Sequence, residues 1–257
     1  MPTVSAPDLR RHERFRSAML PDARDLVVYV PPGYDESGAR YPVLYLHDGQ
    51  NVFEGGTAHV KGSYWRAGEA ADDLTARGAI APLIMVGIGH AGPRRIDEYT
   101  PTATRRQGGG KADAYGRMLI EEIKPFIDAT YRTRPGPADT ALGGSSLGGL
   151  VSLYLGLTRP DVFGRLAVLS PSVWWDRRVI LRDVRSARPK PPLRIWLDMG
   201  TAEGRRAIEN VRLLRNGLAR AGWVEGDDLH YEEVDGAAHN EEAWAARFPR
   251  VLEWLLK

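Results

Sequence analysis

The chain is predicted to be a single-domain α/β protein with a mostly parallel, twisted sheet and helices on both faces. Three observations predict it. Strand-like and helix-like segments alternate from residue 25 to the end. Residues 83–88 form a continuous apolar run, as expected of a central parallel strand buried on both faces. The pentapeptide Gly144-Ser145-Ser146-Leu147-Gly148 joins a short apolar strand to an apolar helix. That is the strand-turn-helix context in which the G-x-S-x-G pattern acquires chemical meaning.

Taken in order, residues 25–30 and 41–46 are expected strands, separated by the turn Pro31-Pro32-Gly33-Tyr34-Asp35. Residues 65–77 are an expected helix, and 83–88 the central strand. A second helix is expected over 111–130, kinked at Pro125. Residues 140–143 form a buried strand and 147–157 a helix, with the pentapeptide turn between them. Strands follow at 165–169 and 194–199. Over residues 205–221, Ile208, Val211, Leu214 and Leu218 fall on one face at helical spacing. A last strand at 229–234 and a last helix at 241–256 complete the pattern. The expected organisation is an N-terminal extension, residues 1–24, and a catalytic domain, 25–257. Two connections lack a regular pattern, 89–110 and the proline- and arginine-rich, cap-like excursion 170–192. Both follow strands, so both should emerge at the carboxyl edge of the sheet, where ligands bind in open α/β folds.

A chain of 257 residues with 43% hydrophobic content can bury a full core. Its 35 basic and 33 acidic side chains leave a net charge of +2, too balanced to imply nucleic acid or a membrane surface as partner. There are no cysteines, which removes disulfides, thiolate catalysis and cysteine zinc sites together. His, Asp and Glu show no metal-ligand spacing, and neither a metal nor a cofactor is expected. The first twenty residues are polar and arginine-rich, and no run of 18 apolar residues occurs, so a cytoplasmic location is expected. Gly108-Gly109-Gly110-Lys111 lacks the spacing of a phosphate loop and follows no strand.

A serine at the centre of such a turn is held in a strained conformation with its hydroxyl exposed, and the flanking glycines admit the close approach of strand and helix. Ser146 is therefore the candidate nucleophile. The backbone N–H of Leu147, at a helix N-terminus, suits an oxyanion. A serine needs a base, and in this arrangement the chain order is Ser, then Asp or Glu, then His. Only His230 and His239 follow Ser146. His230 opens a strand, a structural place. His239 sits in the small-residue loop Gly236-Ala237-Ala238-His239-Asn240 and is the candidate base. The orienting acid should leave the strand before it. Glu203, on the turn Gly200-Thr201-Ala202-Glu203, is the choice, with Asp198 at the strand end as the rival. The second oxyanion donor is assigned to the N–H of Gln50, in the loop His47-Asp48-Gly49-Gln50-Asn51, with His47 and Asp48 shaping that loop. Trp174 and Trp175 in the excursion, with Trp65, are expected to form an aromatic wall of the substrate pocket, and Arg95 beside Arg94 a rim for polar or anionic groups.

Taken together, Tyr45-Leu46-His47-Asp48-Gly49-Gln50-Asn51, the serine pentapeptide, Gly200-Thr201-Ala202-Glu203 and Gly236-Ala237-Ala238-His239-Asn240 resemble the esterase family that holds enterochelin-type siderophore esterases, esterase D, feruloyl esterases and the mycolyltransferases. The resemblance runs from about residue 25 to 256 and implies an α/β-hydrolase fold and hydrolysis of a small-molecule ester. The mycolyltransferases, in which the residue after the glycine of a D-G-x loop supplies an oxyanion amide, support Gln50. Some siderophore esterases of the family work with a Ser–His dyad. The resemblance fixes neither the ester nor the oligomeric state. The expected function is that of a serine carboxylesterase acting through an acyl-enzyme. The alternatives are acyl transfer with the same residues, a siderophore- or feruloyl-type ester hydrolase and, furthest from the residues, a non-catalytic binding protein.

Overall fold

The computed structural model describes residues 7–257. Eight strands form one sheet: β1 Asp8–Phe15, β2 Arg24–Val30, β3 Val43–His47, β4 Ile84–Ile88, β5 Thr140–Ser145, β6 Arg165–Leu169, β7 Arg194–Gly200 and β8 Leu229–Val234. Their spatial order is β1-β2-β4-β3-β5-β6-β7-β8. β1 and β2 pair antiparallel to each other, and β2 is antiparallel to β4. From β4 onward every pairing is parallel.

The strands read as unbroken apolar runs because both sheet faces are covered. Along β3, Val43 and Tyr45 enter one core while Leu44 and Leu46 enter the other. β2 divides the same way, with Leu26, Val28 and Val30 on one side and Val27 and Tyr29 on the opposite side. The covering helices are α1 Ala67–Ala76, a composite helix α2 over 112–130, α3 Leu147–Thr158, α4 Ile180–Ser186, α5 Arg205–Ala221 and α6 Glu241–Leu255. α3 is buried almost all round, which its nearly uniform apolar sequence allows. α5 presents Val211, Leu214 and Leu218 to the core and its charges to solvent. α6 starts at Asn240, whose side chain accepts the N–H of Ala243 at 2.9 Å.

Within α2, a π-helical stretch, Met118–Ile123, precedes Pro125. The wider turn lies just ahead of the proline, which has no N–H to give to the helix ladder.

Two differences from the sequence reading stand out. Part of the segment expected as an extension, 1–24, joins the sheet: residues 8–15 are its edge strand β1. Residues 1–6 of it lie outside the described residues. In β1 only Leu9 and Phe15 are apolar, because an edge strand with charged side chains needs no core alternation. The connection 89–110 is also ordered, by a helical turn Arg95–Glu98 and a small hairpin pairing Ala103–Thr104 with Gly108–Gly109. Among the described residues, no helix is long and apolar enough to cross a membrane.

Candidate active site

Ser146 stands between β5 and α3 with φ 59° and ψ −121°, a conformation that costs a non-glycine residue about 1–3 kcal/mol. The turn is tight enough to exclude larger neighbours. A Cβ on Gly144 would meet Gly148 Cα and His47 Cβ at 3.1 Å, and one on Gly148 would meet His47 Cβ at 3.3 Å. The strain is held by backbone bonds: Ser146 N–H donates to Leu169 O at 3.0 Å, and Ser172 N–H to Ser146 O at 2.9 Å. Ser146 Oγ lies 3.3 Å from Ser172 Oγ.

Leu147 opens α3, and its N–H precedes the first bond of the helix, made by Leu150 to Ser146 O at 3.1 Å. Across the cleft, Gly49–Asn51 is a 3₁₀ turn whose first bond runs from Asn51 N–H to Asp48 O at 2.8 Å, so Gln50 N–H also precedes the ladder. Gly49 touches β4: a Cβ there would sit 2.4 Å from Gly87 C. Asp48, in the left-handed region at φ 55°, is clamped by Arg95, Nε to Oδ1 at 2.6 Å and Nη2 to Oδ2 at 2.8 Å. His47 is buried beneath, with Nδ1 2.8 Å from Tyr115 Oη, and burial pushes its pKa down to about 3. It is a neutral imidazole under the loop.

The loops after β7 and β8 are stapled together. Ala202 N–H donates to Ala237 O at 3.0 Å and Gly236 N–H to Thr201 Oγ1 at 2.8 Å. This brings Glu203 Oε2 to 2.5 Å from His239 Nδ1. The imidazole packs edge-on against the Trp244 indole, centroids 4.9 Å apart. The Glu203 side chain is buried, while that of His239 is 45% exposed. Burial alone would raise the Glu203 carboxyl, but hydrogen bonds from His239, Ser170 and Gly200 outweigh it and hold the pKa below the usual value.

Asp198 does not meet His239. It is fully buried and accepts from Trp196 Nε1 at 2.8 Å and Ser170 N at 3.1 Å, and its Oδ2 lies 3.1 Å from Arg247 Nε. Burial lifts its pKa to about 6 against the pull of Arg247. His230 also lies elsewhere, its ring stacked on Trp196 at 4.0 Å.

The cleft has two lobes that share Ser146, His239 and Arg95. One, about 610 Å³, carries the polar side chains of Gln50, Asn51, His59, His90 and Glu241 beside Trp244. The other, about 430 Å³, carries the apolar side chains of Ile96, Val173, Trp174, Met199 and Ala207 beside Ser172, Glu203 and Asn210. Trp174 is 48% exposed on this second lobe.

Two expectations for the pocket wall are corrected. Trp175 is fully buried, with its Nε1–H donated to Thr102 O at 3.0 Å. Trp65 is buried under Trp244 and Phe248, with ring centroids 6.1 and 5.5 Å away. Neither indole reaches the cleft. Arg95 lines the cleft, with its Nε and Nη2 donated to Asp48, so it also braces the loop. The sequence reading overlooked Ser170, Ser172 and Arg247. Arg247 carried a signal: it falls in the apolar stripe of α6 beside Trp244, Phe248 and Val251, where a lone arginine demands buried acceptors.

Comparison with known proteins gives the family. The family model described as "Putative esterase" matches residues 17–255. A relative from Bacillus subtilis, the uncharacterized protein YbbA, is 24% identical over 90% of this chain and 92% of its own length. Another from the same organism, the ferri-bacillibactin esterase BesA, is 29% identical over 78% of this chain and 74% of its own. Among solved structures, the BES protein from Bacillus cereus superposes with a TM-score of 0.77 at 20% identity, covering 100% of this chain and 97% of that one. The family match spans β2 to β8, the serine turn and both stapled loops, and the chain belongs to this esterase family, with an α/β-hydrolase fold.

Proposed function

We propose that the protein is a serine carboxylesterase that hydrolyses a small-molecule ester through an acyl-enzyme. Family membership supports ester hydrolysis. The observation that carries the serine mechanism is the 2.5 Å contact between His239 Nδ1 and Glu203 Oε2, at the wall of the cleft that Ser146 enters in a strained conformation.

In this reading Ser146 Oγ attacks the ester carbonyl while His239 Nε2 takes its proton. Glu203 fixes the tautomer with hydrogen on Nδ1 and stabilises the imidazolium. The N–H groups of Leu147 and Gln50 receive the oxyanion, a contribution worth about 3–4 kcal/mol per donor in comparable sites. Collapse of the tetrahedral intermediate breaks the bond to the alcohol oxygen, which takes the proton from His239. Water then enters, gives a proton to His239 and attacks the acyl carbon, and Ser146 leaves with the proton returned. The exposed Trp174 supports an apolar or flat group in the smaller lobe, and Gln50 with His90, whose pKa burial lowers, support a hydrogen-bonding group in the larger one.

The test is labelling with a fluorophosphonate followed by peptide mapping, alongside p-nitrophenyl ester hydrolysis. Label on Ser146, and loss of both label and turnover in Ser146→Ala, is the expected result. Turnover that survives without labelling at Ser146 would overturn the assignment.

A further inference from the structure

Ser170 lies at the end of β6, one residue beyond the strand, in the left-handed region at φ 42°. Its hydroxyl touches three partners. Trp244 Nε1 is 3.1 Å from Ser170 Oγ, and Arg247 Nη2 is 2.6 Å from it. Glu203 Oε1 is 2.5 Å away on the third side. An indole N–H and a guanidinium N–H can only donate, so both lone-pair directions of Oγ are filled. The single hydroxyl proton therefore has one destination, Glu203. The direction of this bond is fixed by inventory.

The surroundings hold Ser170 in that role. Its N–H donates to Asp198 Oδ1 at 3.1 Å, and Asp198 Oδ2 in turn lies 3.1 Å from Arg247 Nε. Arg247 is fully buried and reaches 3.7 Å from Glu203 Oε1, so the same cation that orients the hydroxyl also lies against the carboxylate. Trp244 is shared too: its N–H goes to Ser170 and its ring packs on His239. With Gly200 N–H at 2.9 Å, Oε1 of Glu203 is occupied by donors, leaving Oε2 for His239.

We propose that Ser170, driven by Arg247 and Trp244, is a positioning residue that forces Glu203 to act as an acceptor-only carboxylate with Oε2 aimed at His239. This rests on the Ser146–His239–Glu203 reading above. Ser170 touches no reacting atom; it acts through Glu203.

The test uses Ser170→Ala and Ser170→Gly in the full chain, the second because glycine accepts the positive φ and keeps the N–H to Asp198. Both should lower kcat for a p-nitrophenyl ester about 10- to 100-fold, with KM changed less than about twofold, since a transition-state interaction is lost and ground-state binding is not. Three further readouts separate this from loose packing. The far-downfield proton resonance of the His239–Glu203 bond should shift or broaden away. The acid limb of the kcat profile should move to lower pH, because a misaimed Glu203 stabilises the imidazolium of the acid form less. Adding Ser170→Ala to Glu203→Gln should cost less than about threefold more, because the two act as one unit. A kcat within threefold of wild type with an unmoved resonance overturns the proposal. So does full additivity in the double variant, or a rate loss in Ser170→Ala that Ser170→Gly restores. Absence of fluorophosphonate labelling at Ser146 in the wild type would instead sink the serine mechanism itself, which keeps the two failures distinct.

Discussion

Asp198 and Glu203 both lie against one cation, Arg247, at 3.1 and 3.7 Å, yet only Glu203 reaches an imidazole. Both leave the end of β7, and they divide by depth. Asp198, inside the strand, is spent on Trp196, Ser170 and Arg247. Glu203, past the turn, keeps one oxygen for His239.

This division makes opposite predictions for two conservative substitutions. Glu203→Gln should lower kcat by roughly 10²–10⁴, because an amide can hold the wrong imidazole tautomer. Asp198→Asn should lose about 3–5 kcal/mol of stability, the usual effect of leaving a buried partner such as Arg247 unpaired. The Asn variant should keep a rate within about tenfold when normalised to folded protein by active-site titration. A Gln variant at wild-type rate beside an inactive, stable Asn variant would assign the acid to Asp198. Silence at both would favour a Ser–His dyad.

His239→Ala should reduce kcat about 10⁴- to 10⁶-fold, and Ser146→Ala/His239→Ala should be no slower than either single change, since nucleophile and base act as a unit. Multiplying losses on a p-nitrophenyl ester would point to another base. His230 is a poor replacement because its ring is stacked on Trp196 and Trp254 lies 5.8 Å away.

The residues that meet at the cleft were legible because each sits on a local signal. Strand-to-helix turns at Ser146 and Glu203, and a small-residue loop at His239, place side chains at the carboxyl edge whatever the details of the core. What was not legible depended on long-range partners. β1 has too few apolar residues to alternate, and it is specified by pairing with β2. Trp174 and Trp175 are adjacent and chemically identical. Their opposite fates depend on long-range packing: Trp175 is enclosed and hydrogen-bonded to Thr102 O, while Trp174 stays half exposed. Arg247 is a buried side chain whose misfit with its apolar neighbours pointed at hidden acceptors.

His47 gives a pH signature in stability. Burial holds its folded-state pKa at about 3, against an ordinary value of 6.5. The unfolded chain therefore binds the extra proton first as pH falls. The stabilisation is complete above about pH 6.5 and is lost as pH drops through the window down to about 3, with a slope of up to about 1.4 kcal/mol per pH unit. His47→Asn preserves a group able to meet Tyr115 Oη but cannot titrate. Urea unfolding at pH 7.5 and pH 5 should show a smaller pH difference for the variant. An equal difference would mean His47 is accessible to protons in the folded state.

The two neighbouring indoles offer the sharpest separation of pocket from core. Trp174 is half exposed on the smaller lobe beside Ile96, Val173 and Met199, whereas Trp175 is enclosed and hydrogen-bonded to Thr102. Trp174→Ala removes a surface ring, so the melting temperature should hold within about 2 °C. If the lobe receives a flat or apolar group, KM for an ethyl ester of an aromatic acid should rise at least about fivefold, roughly 1 kcal/mol, with little change for ethyl acetate, which carries no ring. Trp175→Ala opens a cavity under the excursion and should cost about 3–5 kcal/mol, with parallel losses on both esters as folded protein is depleted. The contrast between the two variants carries the argument, because either alone could reflect general damage. Equal losses on both esters for Trp174→Ala, at unchanged melting temperature, would place the substrate's apolar group away from this lobe and leave the larger lobe beside Gln50 and His90 as its seat.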